Sequence, residues 1–196
     1  MQNNFGHLLK NYINNMLSFP KNISTILSVV KNVNPKKIID IGPGMGKYGL
    51  LIREQYLSSK AESGELMPED DIIIDAIEDT KYFLDFRDKL IYFVYDKVFS
   101  DSVFDWKIIF EEKKYDLVLL IDTIEHWKKE KTIELINEIV KYSNILISTP
   151  KRVGMYKQHF YGDARHHITQ WKEEDFKSFN FDVIQSDLSH IFLIHK

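Results

Sequence analysis

The chain contains no cysteine among its 196 residues. Disulfides and metal sites built on thiolates are therefore excluded, which is consistent with a reducing compartment. An excess of positive charge is also missing, because 26 Lys and Arg stand against 29 Asp and Glu. A net charge of −3 does not suit binding to duplex nucleic acid, although it leaves room for a local basic patch such as Lys151-Arg152.

Long apolar runs are absent as well. No stretch approaches the ~20 residues of a membrane-spanning helix, and residues 1–5 lack the charged start of a signal peptide. We therefore expect a soluble cytoplasmic protein with no membrane partner. A hydrophobic fraction of 44% is typical of a globular chain. The length suits one domain, residues 1–196, in which residues 1–35 form a helical cover and residues 36–196 an α/β core.

The hydrophobic pattern predicts strands that alternate with helices, which favours a parallel sheet flanked by helices. The predicted strands are Lys37–Ile41, Ile72–Ile77, Lys97–Ser100, Asp116–Ile121 and Asn144–Ser148, the last of them stopped by Pro150. The predicted helices are two between residues 7 and 33, then 45–56, 80–94, one around Ile133–Val140, and 171–179. An acidic loop is expected at 58–71 and a terminal hairpin at Phe181–Ser186 and His190–His195, adding one antiparallel strand at the sheet edge.

The most informative segment runs from Ile38 to Gly49, where an apolar strand ends in an acid and a glycine-rich turn. Glycine stands at positions 42, 44 and 46, which permits positive φ and close approach of backbone to a ligand. The turn leads into a predicted helix whose first N–H groups face the same space. The segment therefore predicts a loop that binds a small-molecule cofactor.

Two classes of cofactor fit these glycines. The dinucleotide fingerprint G-x-G-x-x-G is satisfied by Gly44, Gly46 and Gly49, which keeps a nicotinamide-dependent oxidoreductase as an alternative. In dinucleotide folds the first glycine stands at the strand end, however, and the frame that starts at Gly42 fails at Lys47. The frame D-x-G-x-G-x-G that starts at Asp40 resembles the first motif of class I S-adenosylmethionine-dependent methyltransferases.

This resemblance implies a Rossmann-like, mostly parallel seven-stranded sheet with a C-terminal antiparallel hairpin, helices on both faces and an N-terminal helical extension. It also implies S-adenosyl-L-methionine as the cofactor and S-adenosyl-L-homocysteine as the product. The implied cofactor-binding residues are Asp40, Gly42, Pro43, Gly44, Gly46, Tyr48, Glu78, Asp79, Asp101, Ser102, Asp122 and Thr123.

Three of these acids follow predicted strands, where ligands of such sheets bind. By the resemblance, Glu78 accepts hydrogen bonds from the cofactor ribose, with Asp79 as the alternative if the strand ends one residue later. Asp101 accepts the adenine amino group, unless it caps a turn. Asp122 faces the methyl donor, although Asp122 and Glu125 also fit a capping box.

Histidines supply the predicted catalytic groups. His126 follows Asp122-x-x-Glu125, and His167 lies in a loop of about 20 residues after the fifth strand, a length typical of functional loops. Either imidazole is a candidate general base. The run His167-x-Thr169-x-Trp171 and the following Glu-Asp-Phe resemble a bacterial methyltransferase group of mostly unknown substrate, with Thr169 in place of its serine.

No metal site is predicted. His126, His159, His166 and His167 are potential ligands, but the chain has neither an H-E-x-x-H helix nor a cysteine to support them.

Together these features predict a methyltransferase with a small-molecule or carbohydrate-like acceptor. A non-catalytic binding module with the same fold is the alternative from another functional class. The oligomeric state is not indicated by the sequence.

Overall fold

The computed structural model describes residues 19–64, 72–78, 91–99, 115–152 and 167–196. These residues contain strands β1 Lys37–Ile41, β2 Ile73–Ile77, β3 Lys97–Phe99, β4 Leu117–Ile121, β5 Asn144–Pro150, β6 Phe181–Ile184 and β7 Ser189–Ile194. They also contain helices α1 Ile23–Val33, α2 Lys47–Ser63 and α3 Lys129–Ile139, and 3₁₀ turns at Pro20–Asn22, Ile124–His126 and Glu173–Phe176.

The strands form one sheet in the order β3-β2-β1-β4-β5-β7-β6. Strands β1 to β5 pair in parallel, and β7 pairs antiparallel with both β5 and β6. The predicted mixed sheet with a terminal hairpin is thus confirmed. One detail is wrong: the antiparallel strand β7 lies inside the sheet, and β6 forms the edge.

Hydrophobic clusters cover both faces of the sheet, as the near-continuous apolar strands predict. On one face Ile38 and Leu119 pack with α1 and α2 through Ile26 and Ile52. On the other face the alternate strand residues, among them Ile39, Val118 and Leu120, pack with α3 and with Trp171 and Phe176. All five residues of β4 are buried because this strand lies near the middle of the sheet.

Three predicted boundaries are wrong. Helix α2 continues to Ser63 and ends at Gly64, which has a left-handed φ of 75° and whose N–H donates to the carbonyl of Ala61, so residues 58–63 are helix rather than loop. Pro150 is the last paired residue of β5, opposite Ser189, rather than a residue that stops it. The helix predicted at 171–179 is shorter, a 3₁₀ turn at Glu173–Phe176.

Some predictions fall outside the described residues. These are the first N-terminal helix, the loop part 65–71, the start of the helix at 80–94, and residues Asp79, Asp101, Ser102, His159 and His166. Within the described ranges, no helix has the length and apolar character needed to cross a membrane.

Candidate active site

The glycine turn after β1 adopts the backbone that only glycine accepts readily. Gly42, Gly44 and Gly46 have φ of 73°, 60° and 79°. At Gly42 space is also restricted, because a Cβ there would lie 2.8 Å from the Thr123 side chain. The Gly42 N–H donates to the carbonyl of Ile77, which joins the ends of β1 and β2. The predicted role of glycine in shaping this turn is therefore explained by both conformation and packing.

Thr123 closes the same region from the side of β4. Its hydroxyl is 3.0 Å from the carbonyl oxygen of Ile41 and 3.2 Å from that of Ile121. Donation to these carbonyls joins the ends of β1 and β4, where the strand order of the sheet reverses. Ligands of doubly wound sheets bind at this reversal. Thr123 therefore shapes the site, and its predicted contact with cofactor stays a prediction.

Asp40 is buried beside a residue that sequence reasoning missed. The Tyr95 hydroxyl donates to Asp40 Oδ2 at 2.6 Å, and it also hydrogen-bonds the backbone N–H of Gly49 in the first turn of α2. Burial raises the pKa of Asp40 to about 7, against the lowering effect of the Tyr95 hydrogen bond. The nearby charge of Glu78 raises this pKa further, so the two predicted cofactor acids share one electrostatic environment.

The packing around Gly49 explains why the sequence also satisfies the dinucleotide pattern G-x-G-x-x-G. A Cβ at Gly49 would lie 2.5 Å from the ring of Tyr95. The glycine that completes G-x-G-x-x-G therefore makes room for an aromatic ring of this chain. This signal was visible in the sequence, but nothing there indicated which ring fills the space.

Tyr48 and Pro43 also belong to this region. Tyr48 is buried in the hydrophobic cluster on the α2 side of the sheet, with Lys47 Nζ 5.1 Å from its ring centre. The carbonyl of Pro43 accepts a hydrogen bond from the Gly46 N–H, which tightens the turn. Their predicted contacts with cofactor stay predictions.

Asp122 follows β4 in a left-handed conformation, with φ of 51°, that is uncommon outside glycine. Its N–H donates to the Ser148 carbonyl at 2.7 Å, and the Ser148 hydroxyl donates to Oδ1 at 3.0 Å. Burial raises the pKa of Asp122 to about 6, opposed by the Ser148 hydrogen bond, the charge of Lys47 and the N–H of Phe19. Ser148 of β5, Lys47 at the start of α2 and the N–H of Phe19 thus surround this acid.

Glu125 lies one turn further, with only 1% of its surface exposed. Its Oε2 accepts a hydrogen bond from Thr149 at 3.2 Å, and its Oε1 has no hydrogen-bond partner among the described residues. His167 Nε2 is 3.9 Å from Oε1, and the His167 ring meets that of His126 edge-on with centroids 5.0 Å apart. Burial raises the pKa of Glu125 and lowers that of His167, so His167 is neutral at pH 7.

The segment after the long loop is attached to the 3₁₀ turn that carries Glu125. The N–H groups of Ile168 and Thr169 both donate to the Glu125 carbonyl, at 2.9 and 3.1 Å. The Thr169 hydroxyl donates to the Trp127 carbonyl at 2.6 Å. The indole N–H of the fully buried Trp171 donates to the Ile124 carbonyl. The predicted His-x-Thr-x-Trp motif therefore places His167 beside Glu125 and His126.

The structure thus gathers most predicted site residues at the carboxyl ends of β1, β2, β4 and β5. Those it places there are Asp40, Gly42, Pro43, Gly44, Gly46, Glu78, Asp122, Thr123, His126 and His167. Sequence reasoning missed three contributors: Tyr95, Ser148 in its contact with Asp122, and Thr149 in its contact with Glu125.

No protein-family model matches the chain, and no curated protein matches it by sequence. The methyltransferase domain of a bacterial protein, CtHen1-CN, superimposes with a TM-score of 0.55 at 17% identity, over 90% of this chain and 98% of that domain.

Two further structures contain the demethylated cofactor. Magnesium protoporphyrin IX methyltransferase (ChlM) from Synechocystis PCC 6803 with bound SAH gives a TM-score of 0.58 at 11% identity, over 89% of this chain and 82% of that one. PigF with SAH gives a TM-score of 0.64 at 14% identity, over 90% of this chain and 55% of that one. With the strand order and the terminal hairpin, these similarities show that the chain has the fold of class I S-adenosylmethionine-dependent methyltransferases.

Proposed function

We propose that the protein is an S-adenosylmethionine-dependent methyltransferase that acts on a small-molecule or carbohydrate-like acceptor. The observation that carries the proposal is the position of three carboxyl groups, Asp40, Glu78 and Asp122, at the carboxyl ends of neighbouring strands, together with a left-handed glycine turn where the strand order reverses. Burial raises the pKa of Asp40 to about 7 and that of Asp122 to about 6.

The charge of the site discriminates between cofactors. S-adenosylmethionine brings a sulfonium and an ammonium group, and both favour nearby ionised carboxylates. A nicotinamide dinucleotide brings a pyrophosphate, which the same carboxylates repel. The close approach of the Tyr95 ring also explains why residue 49 is glycine, so Gly49 need not be the third glycine of a pyrophosphate-binding loop. Charge and packing therefore both support S-adenosylmethionine over the dinucleotide alternative.

The methyl group leaves a positively charged sulfur, so the bound cofactor supplies an activated leaving group. The protein then has to align the acceptor with that methyl group, and positioning alone supplies ~7–11 kcal/mol of barrier lowering. Asp122 lies at the end of β4 on the side of the predicted methyl donor. Neutral His167, which lies beside Glu125, is able to accept the acceptor proton, which keeps His126 and His167 as proposed catalytic residues.

The carboxyl groups at this edge of the sheet also indicate which class of acceptor suits the site. Buried and half-buried carboxyl groups at the ends of β1, β2 and β4, with a net charge of −3, disfavour a polyanionic acceptor such as duplex nucleic acid. A neutral hydroxylated or amine-bearing small molecule meets no such repulsion. This supports the small-molecule or carbohydrate-like class.

Isothermal titration tests the cofactor. We expect S-adenosylmethionine and S-adenosylhomocysteine to bind with one site per chain and NAD to bind far more weakly. Glu54→Ala is the matched control, because it removes an exposed carboxylate from α2 and should leave the affinity unchanged. Tighter binding of NAD would refute the assignment.

A second assay separates catalysis from binding alone. Release of S-adenosylhomocysteine is measured with a panel of hydroxylated and amine-bearing small molecules. Release that depends on one acceptor class supports a methyltransferase. Tight cofactor binding without release on any acceptor supports the non-catalytic module instead.

A further inference from the structure

Three potential metal-ligating side chains converge at the 3₁₀ turn after β4. Glu125, His126 and His167 each offer one ligand atom, and these atoms all lie within 4.8 Å of one another. Glu125 and His126 stand together on the 3₁₀ turn after β4, whereas His167 arrives from a segment 41 positions later that is hydrogen-bonded to the same turn. The convergence is therefore a product of the fold and not of a short sequence motif.

We propose that Glu125, His126 and His167 bind a divalent transition-metal ion. Two imidazoles and one carboxylate suit ions such as Zn²⁺, Co²⁺ and Fe²⁺ better than Mg²⁺ or Ca²⁺, which prefer oxygen ligands throughout. Three protein ligands leave coordination positions open for water or another oxygen ligand. The proposal departs from the sequence-based expectation, which found no metal site.

The position of the Glu125 carboxylate supports this assignment. One oxygen, Oε2, is held by the Thr149 hydroxyl, and the other, Oε1, points toward His167 with no hydrogen-bond partner among the described residues. A buried carboxylate oxygen without a donor is unfavourable, and a cation supplies the missing partner. Thr149 then acts as the group that orients a ligating carboxylate, an arrangement common around metal sites.

The geometry needs only a small adjustment. Ligand atoms bound to one ion at ~2.0–2.2 Å lie about 3–4 Å apart. A present separation of up to 4.8 Å therefore closes by about 1 Å, which rotation of the side chains provides. The backbone of this region need not move, because hydrogen bonds from Ile168 and Thr169 to the Glu125 carbonyl already fix the two segments together.

A bound ion changes the chemistry expected of the histidines, and this step rests on the proposed function. A coordinated imidazole nitrogen has no lone pair left to accept a proton. An acceptor hydroxyl that occupied an open coordination position would instead lose its proton more easily, because the cation stabilises the alkoxide. The hydroxyl proton goes to solvent, the oxygen lone pair forms the bond to the methyl carbon, and the carbon–sulfur electron pair returns to sulfur.

Metal binding is tested on the full chain after chelator treatment and dialysis. Co²⁺ and Zn²⁺ are titrated by calorimetry, and Co²⁺ is also followed by its visible absorption, which reports nitrogen and oxygen ligands. We expect one ion per chain, with Mg²⁺ binding at least tenfold more weakly. His167→Ala and Glu125→Gln should each weaken Co²⁺ binding at least tenfold.

His195→Ala is the matched control. His195 Nε2 lies 2.9 Å from Asp182 Oδ2, so this pair offers an imidazole and a carboxylate, with no third ligand beside them among the residues that the structure describes. Its removal should leave the affinity and stoichiometry for Co²⁺ unchanged. Loss of binding in His195→Ala equal to that in His167→Ala would show that surface histidines bind the ion and would overturn the proposal.

Two further results decide the matter. Wild-type protein that binds neither Co²⁺ nor Zn²⁺ more tightly than about 1 mM overturns the metal site, and this measurement does not depend on any variant folding. Titration of S-adenosylmethionine into the same samples keeps the two proposals separate. Metal binding without cofactor binding refutes the proposed function alone, and cofactor binding without metal binding refutes the metal site alone.

Discussion

The hydroxyl of Tyr95 donates a 2.6 Å hydrogen bond to Asp40, although 55 residues separate them in the chain. Both residues are buried, with 5% and 2% of their surface exposed. The tyrosine ring also lies against Gly49, so a single side chain connects the end of β1, the first turn of α2 and the segment before β3. The glycine turn is therefore held by contacts from outside its own motif.

Gly49→Ala tests this connection. The new methyl group would lie 2.5 Å from the Tyr95 ring, so the ring has to move away from Asp40. Overpacking of this kind costs ~1–3 kcal/mol, and we expect a lower midpoint in thermal and denaturant unfolding. Ser59→Ala, an exposed position on the same helix, should change stability by less than about 0.5 kcal/mol. Equal stability of Gly49→Ala and wild type would contradict the packing role.

Asp40→Asn tests the electrostatics. The pKa of Asp40 is raised from 3.8 to about 7 on folding, so the unfolded chain ionises this group first as pH increases. Wild-type protein should therefore lose stability on this account between pH 4 and pH 7, by on the order of 4 kcal/mol. Asn keeps an acceptor for Tyr95 and has no charge to bury.

The measurement is the free energy of unfolding in denaturant at several pH values from 4 to 8. The difference between wild type and Asp40→Asn removes the contributions of all other titrating groups. We expect the variant to gain relative stability as pH rises toward 7 and to keep that gain above it. A difference that does not change with pH would show that Asp40 has an ordinary pKa in the folded protein.

The sheet was predictable because its strands carry their own signals. The run Leu117–Ile121 is apolar throughout, as a strand covered on both faces must be, and a polar residue, Asp122, follows it. Boundaries governed by tertiary contacts were not predictable. Pro150 remains in β5 because it is the last residue that pairs with β7, a contact between distant segments. The end of helix α2 was misplaced for a different, local reason, because Gly64 is a capping signal visible in the sequence that was interpreted as part of a loop.

The residues of the site also fall into a group that was predictable from the sequence and a group that was not. The positions of Asp40, Glu78 and Asp122 at this edge of the sheet were predictable because each acid lies at the end of an apolar strand, whereas their contacts with cofactor stay predictions. Tyr95 and Thr149 were missed because their roles depend on side chains that meet only after folding. The grouping of Glu125, His126 and His167 was missed for the same reason, since His167 lies 41 positions after His126.

Thr169→Val tests whether the Thr169 hydroxyl stabilises the attachment of the segment that carries His167. The Thr169 hydroxyl donates to the Trp127 carbonyl, so valine removes one hydrogen bond at nearly constant volume. We expect a loss of about 1 kcal/mol in unfolding free energy. Thr169→Ser keeps the hydroxyl and should retain most of this stability. Equal loss in the serine and valine variants would assign the effect to packing of the methyl group instead.

Glu78→Ala tests the predicted ribose contact. Glu78 follows β2, its N–H is held by the Phe99 carbonyl, and its charge reaches Asp40, so the side chain lies at the edge where the cofactor is proposed to bind. Loss of charged hydrogen bonds worth ~1.5–3 kcal/mol should weaken S-adenosylhomocysteine binding roughly 10- to 100-fold in calorimetry. The same change should lower the pKa of Asp40, because it removes a neighbouring negative charge.

Asp79→Ala is the matched control, and we expect this variant to bind S-adenosylhomocysteine normally. If Asp79→Ala loses affinity while Glu78→Ala does not, the carboxylate that binds the ribose has been assigned one residue too early. In that case the titration of Asp40 in Glu78→Ala still reports whether the Glu78 charge lies close to Asp40.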